Sequence, residues 1–179
     1  MLKSQKRGGT ATGLLKLFLA TLILLSPKAA TTSKRYSEKE AGLLAQLICA
    51  ECKGCPRSER VAVGHVAKNR SESPGWWGWN LVTVIYAPGQ FADTKSPLCH
   101  DALPDPPPPH KAWSPGMVSI HRNLMSSIRS DAVGILTGDV PDLSKGSMYF
   151  HAKRLGTIWP HKTTKEVEVP SNWHHRFFR

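Results

Sequence analysis

A chain of 179 residues with 40% hydrophobic residues and a mean hydropathy of −0.29 has room for one domain built around one core. Its 24 basic and 13 acidic residues give a formal charge of +11, which suits a polyanionic partner. No P-loop, Gly-x-Ser-x-Gly elbow or His-Glu-x-x-His pair occurs, so those three chemistries lack their signatures.

Residues 1–30 hold five cations (Lys3, Lys6, Arg7, Lys16 and Lys28) and no acid. Leu14 to Leu25 is an apolar run interrupted by Lys16, too short for an ordinary spanning helix and suited to the apolar region of a signal peptide. We therefore expect an exported protein in the periplasm or cell envelope, either cleaved or tethered to the inner membrane by residues 14–25. The remainder, 31–179, carries about +6 and is expected to be one domain. Its Lys and Arg are scattered, without a basic run interleaved with aromatics, so nucleic acid is not the expected partner.

Ser37 with Glu40 three residues later makes a capping box, and apolar periodicity begins at Leu43. Leu44, Leu47, Ile48 and Glu51 then share one helical face, so an apolar face ends in a carboxylate. Half-buried against Leu and Ile, that carboxyl would have a raised pKa and could serve as a general acid. It could instead be a solvated helix-end Glu paired with Lys53 or Arg57. A second helix starts at Pro56 or Ser58 and runs through Val61 to Arg70. A third begins at Ser114-Pro115, carries Met117, Ile120, Leu124 and Ile128 at helical spacing, and ends before Gly134. Between them, Leu103 to Pro109 is extended polyproline within a proline-rich loop at about 92–112. Short strands are predicted at Ser147–His151 and Glu166–Val169.

Cys49, Cys52 and Cys55 form C-x2-C-x2-C, with Cys99 distant. Four thiolates could hold zinc or an iron–sulfur cluster. An oxidising compartment favours disulfides instead, and a bridge from Cys99 to Cys55 or Cys52 would tie the long loop to the Glu51 turn. No cofactor and no metal ligand set is assigned.

Leu43 to Arg70 resembles the opening of the SleB-like cell-wall hydrolases, in Ala50-Glu51, Gly54, Pro56, Val61-Ala62-Val63 and Asn69-Arg70. Further matches follow in order: Ser73-Pro74-Gly75, Val84-Ile85-Tyr86 before Gly89-Gln90-Phe91, Tyr149-Phe150-His151-Ala152 before Trp159, and the closing His175-Arg176-Phe177-Phe178. Cys52, Lys53 and Cys55 depart from the family pattern around the Glu. The resemblance implies a predominantly helical α+β domain with a lysozyme-like fold and a small β element. It also implies cleavage of the MurNAc–GlcNAc bond of peptidoglycan, with Glu51 as the acid.

Gln90 on a tight loop could hydrogen-bond an N-acetyl group, with Phe91 as packing or platform. Tyr149 and His151 fall on one side of a strand and could face Glu51, or be core residues. Of Trp76, Trp77 and Trp79, one is expected in the core; Trp77 is taken as a substrate-side candidate. With a single obvious carboxylate, Glu51 would protonate the glycosidic oxygen and then accept the proton of the MurNAc 6-hydroxyl, giving a 1,6-anhydro product. This is lytic transglycosylation, in phage lysis or bacterial wall remodelling, by a monomer. Asp93, Asp101 or Asp105 could supply a second carboxylate for hydrolysis. A non-catalytic wall-binding module and a small metal or redox protein are the other readings.

Overall fold

The computed structural model describes residues 36–73, 75–91, 96–103, 105, 108, 111–156 and 164–179. The leader, Asp93, Trp159 and most of the proline run lie outside the described residues. Ser37 opens helix α1 (Glu38–Cys52) with both arms of the capping box, the Glu40 carboxylate accepting from the Ser37 N–H at 2.8 Å. Every residue of α1 from Ala41 to Cys49 is buried, so this helix runs through the core rather than resting one apolar face on it. Leu44, Leu47 and Ile48 do align with Glu51. The other sides are covered as well, by α2 (Arg57–Glu72), α3 (Leu81–Tyr86), α4 (Pro115–Thr137) and a 3-10 turn, Pro97–Ala102. Glu51, in the last turn, is where the helix emerges half-buried.

Pro56 is the N-cap of α2, and its fixed backbone turns the chain back on α1 within four residues. Ser114 caps α4, with Pro115 at its first position as expected. The expected end before Gly134 is corrected: α4 runs on to Thr137 and is closed by Gly138 at φ 85°. Gly134 is instead a close-approach site, where an added Cβ would lie 2.5 Å from Val140 Cγ2. The expected apolar stripe of α4 also shifts. Met117 and Ile120 are exposed, while Met125, Ile128, Ala132 and Ile135 face the core, because the first half of the helix extends beyond the packed elements.

Three short strands complete an α+β domain. Strand β1 (Tyr149–Ala152) and strand β2 (Glu166–Val167) both pair antiparallel with β3 (His175–Phe178), giving the order β1-β3-β2. The two predicted strands exist, shifted or shortened. The strand that joins them was not anticipated, because His-Arg-Phe-Phe has no alternating pattern of its own. Phe177, fully buried at its centre, anchors the sheet to the helical core.

Candidate active site

Glu51 lines a cleft of about 630 Å³ formed between the α1–α2 turn and the far end of β1 and β3. Ala50 to Cys55 make one wall; Ala152, Lys153, Arg154, Trp173, His174 and His175 make the other. Glu51 is the single acidic side chain among the described residues of this lining, and Lys53, Lys153 and Arg154 give it a basic rim. An elongated anionic or neutral polymer is electrostatically acceptable there, and a polycation is not.

Beneath the cleft, Glu59 is fully buried in the first turn of α2. Its Oε1 accepts from the backbone N–H of His174 (2.6 Å) and His175 (2.8 Å) and from His175 Nδ1 (2.8 Å); Oε2 accepts from His174 Nδ1 at 3.0 Å. Both imidazoles must carry their proton on Nδ1, since a carboxylate only accepts. Burial pushes the Glu59 carboxyl up, but the His174 and His175 side-chain and backbone donors outweigh it and hold it below the ordinary range. This acid is thus an ionised pin that fixes β3 to α2 and with it one wall of the cleft.

Arg70 organises the other flank. It is buried at the end of α2, with Nε donating to Met148 O at 2.6 Å and Nη1 to Gln90 Oε1 at 3.1 Å. Its guanidinium lies over three rings: Phe91 at 4.9 Å, Tyr149 at 5.4 Å and Trp77 at 5.8 Å. Burial pulls its pKa down to about 10, against the upward pull of Tyr149 and Glu51. So four of the sequence-selected residues, Gln90, Phe91, Tyr149 and Trp77, meet around one guanidinium whose field also includes Glu51. None of the four is among the residues lining the cleft itself.

Immediately before Arg70 in α2, Asn69 Nδ2 donates to Asp142 Oδ2 and Ser147 O, both at 3.1 Å, and more than a turn further back His65 Nε2 donates to Val140 O at 3.2 Å. Asp142 in turn accepts from the Ser144 and Gly146 N–H groups, closing the turn that delivers Tyr149 to β1. Asn69 and Arg70 therefore hold two successive carbonyls, Ser147 O and Met148 O, that lead into β1.

The remaining expectations divide. Tyr149 and His151 do alternate on β1; His151 stacks on Phe178 at 5.2 Å and is buried. Trp77 is the structural member of its trio, its indole N–H donating to Arg70 O (3.0 Å) and Ser73 O (3.1 Å), whereas Trp76 and Trp79 stand exposed. Asp101 is paired with His121 at 2.9 Å. The expected bridge from Cys99 to Cys55 or Cys52 is corrected: Cys49 joins Cys99 and Cys52 joins Cys55. Cys49 faces the 3-10 turn from inside the core, whereas Cys52 and Cys55 sit on the same tight turn, so proximity pairs each with a different partner. Of the two charges that hold the site together, Glu59 had no distinguishing signal in the sequence, and Arg70 stood out only as part of the Asn69-Arg70 match, with no role attached.

The structure is a small α+β domain in which a helix-end carboxylate lines a basic cleft. The model of the cell wall hydrolase family matches residues 54–178, and the chain belongs to that family. The match begins three residues after Glu51 and includes Glu59, Arg70, Gln90 and Tyr149. No curated protein and no solved structure matches the chain. A cell wall hydrolase acts on peptidoglycan, and the basic cleft is consistent with that polymer.

Proposed function

We propose that the protein cleaves the MurNAc–GlcNAc bond of peptidoglycan as a SleB-like lytic transglycosylase, with Glu51 as its single catalytic carboxylate. The observation that carries this reading is the division of labour between the two neighbouring acids. Glu51 lines the cleft, while Glu59 has both oxygens occupied by donors from His174 and His175. A glycosidase that activates water needs a second carboxylate across the bond. Glu59 is committed to the sheet, Asp101 is tied to His121, and neither Asp101 nor Asp105 lines the cleft among the described residues.

One carboxylate suffices when the nucleophile belongs to the substrate. Glu51 donates its proton to the glycosidic oxygen as the C1–O bond breaks, and the GlcNAc end leaves as a neutral alcohol. The resulting carboxylate then takes the proton of the MurNAc 6-hydroxyl as that oxygen closes on C1. Gln90, held by Arg70, and Tyr149 orient the sugar next to Glu51, while the exposed Trp76 and Trp79 offer ring faces for a neighbouring sugar. Export to the cell envelope as a monomer, by way of the apolar leader and with or without a retained tether, places the enzyme at this substrate.

The test is a digest of purified peptidoglycan by wild type and Glu51→Gln, read by mass spectrometry of the released muropeptides. Anhydro-muropeptides from wild type, with release on the order of 10²–10⁴-fold slower in Glu51→Gln, are the expected result. Reducing ends from wild type would replace transglycosylation by hydrolysis. Equal release by the two proteins would remove Glu51 from the mechanism.

A further inference from the structure

Cys52, Cys55, Glu59 and His175 each bring one metal-ligating atom within 4.8 Å of the others, the two sulfurs being bonded to each other as a disulfide that reduction must open. Cys52 and Cys55 come from the α1–α2 turn, Glu59 from α2 and His175 from β3, so three elements converge. Cys52 Sγ lies 3.8 Å from His175 Nδ1, and that Nδ1 lies 2.8 Å from Glu59 Oε1. A tetrahedral zinc ion with its usual bond lengths places its ligand atoms about 3.3–3.8 Å apart. The Cys52–His175 separation already fits, and the His175–Glu59 pair has to open by roughly 0.5 Å once no proton lies between them.

We propose that this cluster is a two-state site: a disulfide when oxidised, and, when Cys52 and Cys55 are reduced, a centre for a zinc-like divalent cation held by the two thiolates, Glu59 and His175. Thiolate, imidazole and carboxylate are all donors that zinc accepts, and C-x2-C is the spacing with which a tight turn presents two sulfurs to one ion. The outer contacts a metal site requires are in place. Glu59 is oriented by the His174 and His175 N–H groups and by His174 Nδ1. The cation has a route in, because Cys52, Cys55 and His175 line the Glu51 cleft.

The conversion balances with a dithiol or phosphine reductant. It supplies two electrons, two protons come from water, and the Cys52–Cys55 bond becomes two thiols. The incoming M²⁺ displaces both thiol protons to solvent. His175 remains neutral by moving its proton from Nδ1 to Nε2, which frees the Nδ1 lone pair for the metal. Disulfide and metal exclude each other, since both need the same two sulfur atoms. Cys49 and Cys99 are not part of the site: both are buried and joined to each other. The proposal does not depend on how Glu51 acts.

The experiment is a cobalt(II) titration of the full-length protein, first as isolated and then after phosphine reduction, followed by zinc loading and X-ray absorption at the zinc edge. The expected result is one tightly bound Co²⁺ per reduced chain, with sulfur-to-cobalt charge-transfer absorption and tetrahedral visible bands, and no uptake by the oxidised chain. The zinc edge is expected to report two sulfur and two nitrogen or oxygen neighbours. The double variant Cys52→Ala/Cys55→Ala, checked for native circular dichroism, is expected to lose this uptake. No binding after reduction would overturn the proposal. So would a four-sulfur shell, which would assign the metal to all four cysteines, or binding that survives in a folded Cys52→Ala/Cys55→Ala chain. The wild-type ligand count decides the matter even where the variant does not fold.

Discussion

Arg70 performs two tasks that only a guanidinium can combine. Its fork holds Met148 O and Gln90 Oε1 while its flat face covers Phe91, Tyr149 and Trp77. Lysine in its place offers one compact ammonium, which cannot reach both oxygens and is more strongly hydrated. Arg70→Lys is therefore expected to destabilise the fold by about 2–4 kcal/mol in urea unfolding, in line with breaking a buried charged hydrogen-bond set. Muropeptide release should fall as well, because Gln90 and Tyr149 lose their common support; unchanged stability and activity would contradict this role. Glu59 is the second such residue. Glu59→Ala leaves the buried N–H groups of His174 and His175 without their acceptor, and a loss of about 3–5 kcal/mol is expected from denaturant titration. A loss below about 1 kcal/mol would mean that β3 holds its place without this pin. The helix-end, half-buried position of Glu51 was legible because a helix period and a nearby Gly-x-Pro turn are local signals. The contacts of Arg70 and Glu59 were not, because their partners lie 78 and 115 positions away in the chain. A lone Arg or Glu near a helix end looks alike whether it is solvated or the hub of a site.

At the scale of elements, the three long helices meet where Gly64 of α2 faces Ile48 of α1 and Ile135 of α4. A Cβ built at Gly64 would sit 2.7 Å from Ile135 Cδ1 and 2.8 Å from Ile48 Cδ1. Helix propensity favours alanine over glycine by about 1 kcal/mol, but two fully buried isoleucines on either side must both give way, which costs about 1–3 kcal/mol. Crowding wins, and Gly64→Ala is expected to lower stability by about 1 kcal/mol despite the better propensity; a rise in the thermal midpoint would show that the isoleucine ends swing aside freely. The same crowding explains which elements the sequence concealed. Helix ends with caps were plain: Ser37 and Ser114 act as their spacing demands. Gly134 was misread as a terminus because a glycine required by Val140 looks the same in sequence as one that ends a helix. Strand β3 was concealed because its extension is imposed by pairing on both sides and by Glu59, rather than by any alternation in His-Arg-Phe-Phe.

Among the described residues, three buried or half-buried groups make stability depend on pH in one direction, the same direction as the exposed Glu166–Arg176 pair. Burial, offset in part by the Asp142 charge, holds the pKa of His65 below its ordinary value. Glu59 is held low by its histidine and backbone donors against the opposing effect of burial. Asp142 is held low in the same sense: burial raises it, and Ser144, Gly146 and Asn69 outweigh that. In each case the unfolded chain binds protons more readily than the folded one, so acid favours unfolding. The stability these groups contribute is present above their unfolded pKa values and is lost as pH falls through the folded ones. His65 should begin the decline below about pH 6.5, and the two carboxylates should deepen it below about pH 4.5. The sites are also mechanically linked, since Asp142 and His65 fix the loop before β1, while Glu59 fixes β3, to which β1 is paired. Acid should therefore release the sheet and the cleft wall as a unit. Calorimetric midpoints are expected to be flat from about pH 7 to 9 and to fall in two stages below that, the second steeper because two groups titrate together. Glu59→Gln should flatten the lower stage and leave the upper one in place. A midpoint that held steady down to about pH 4, or rose, would refute the assignment of these three groups as the acid-sensitive ties of the fold.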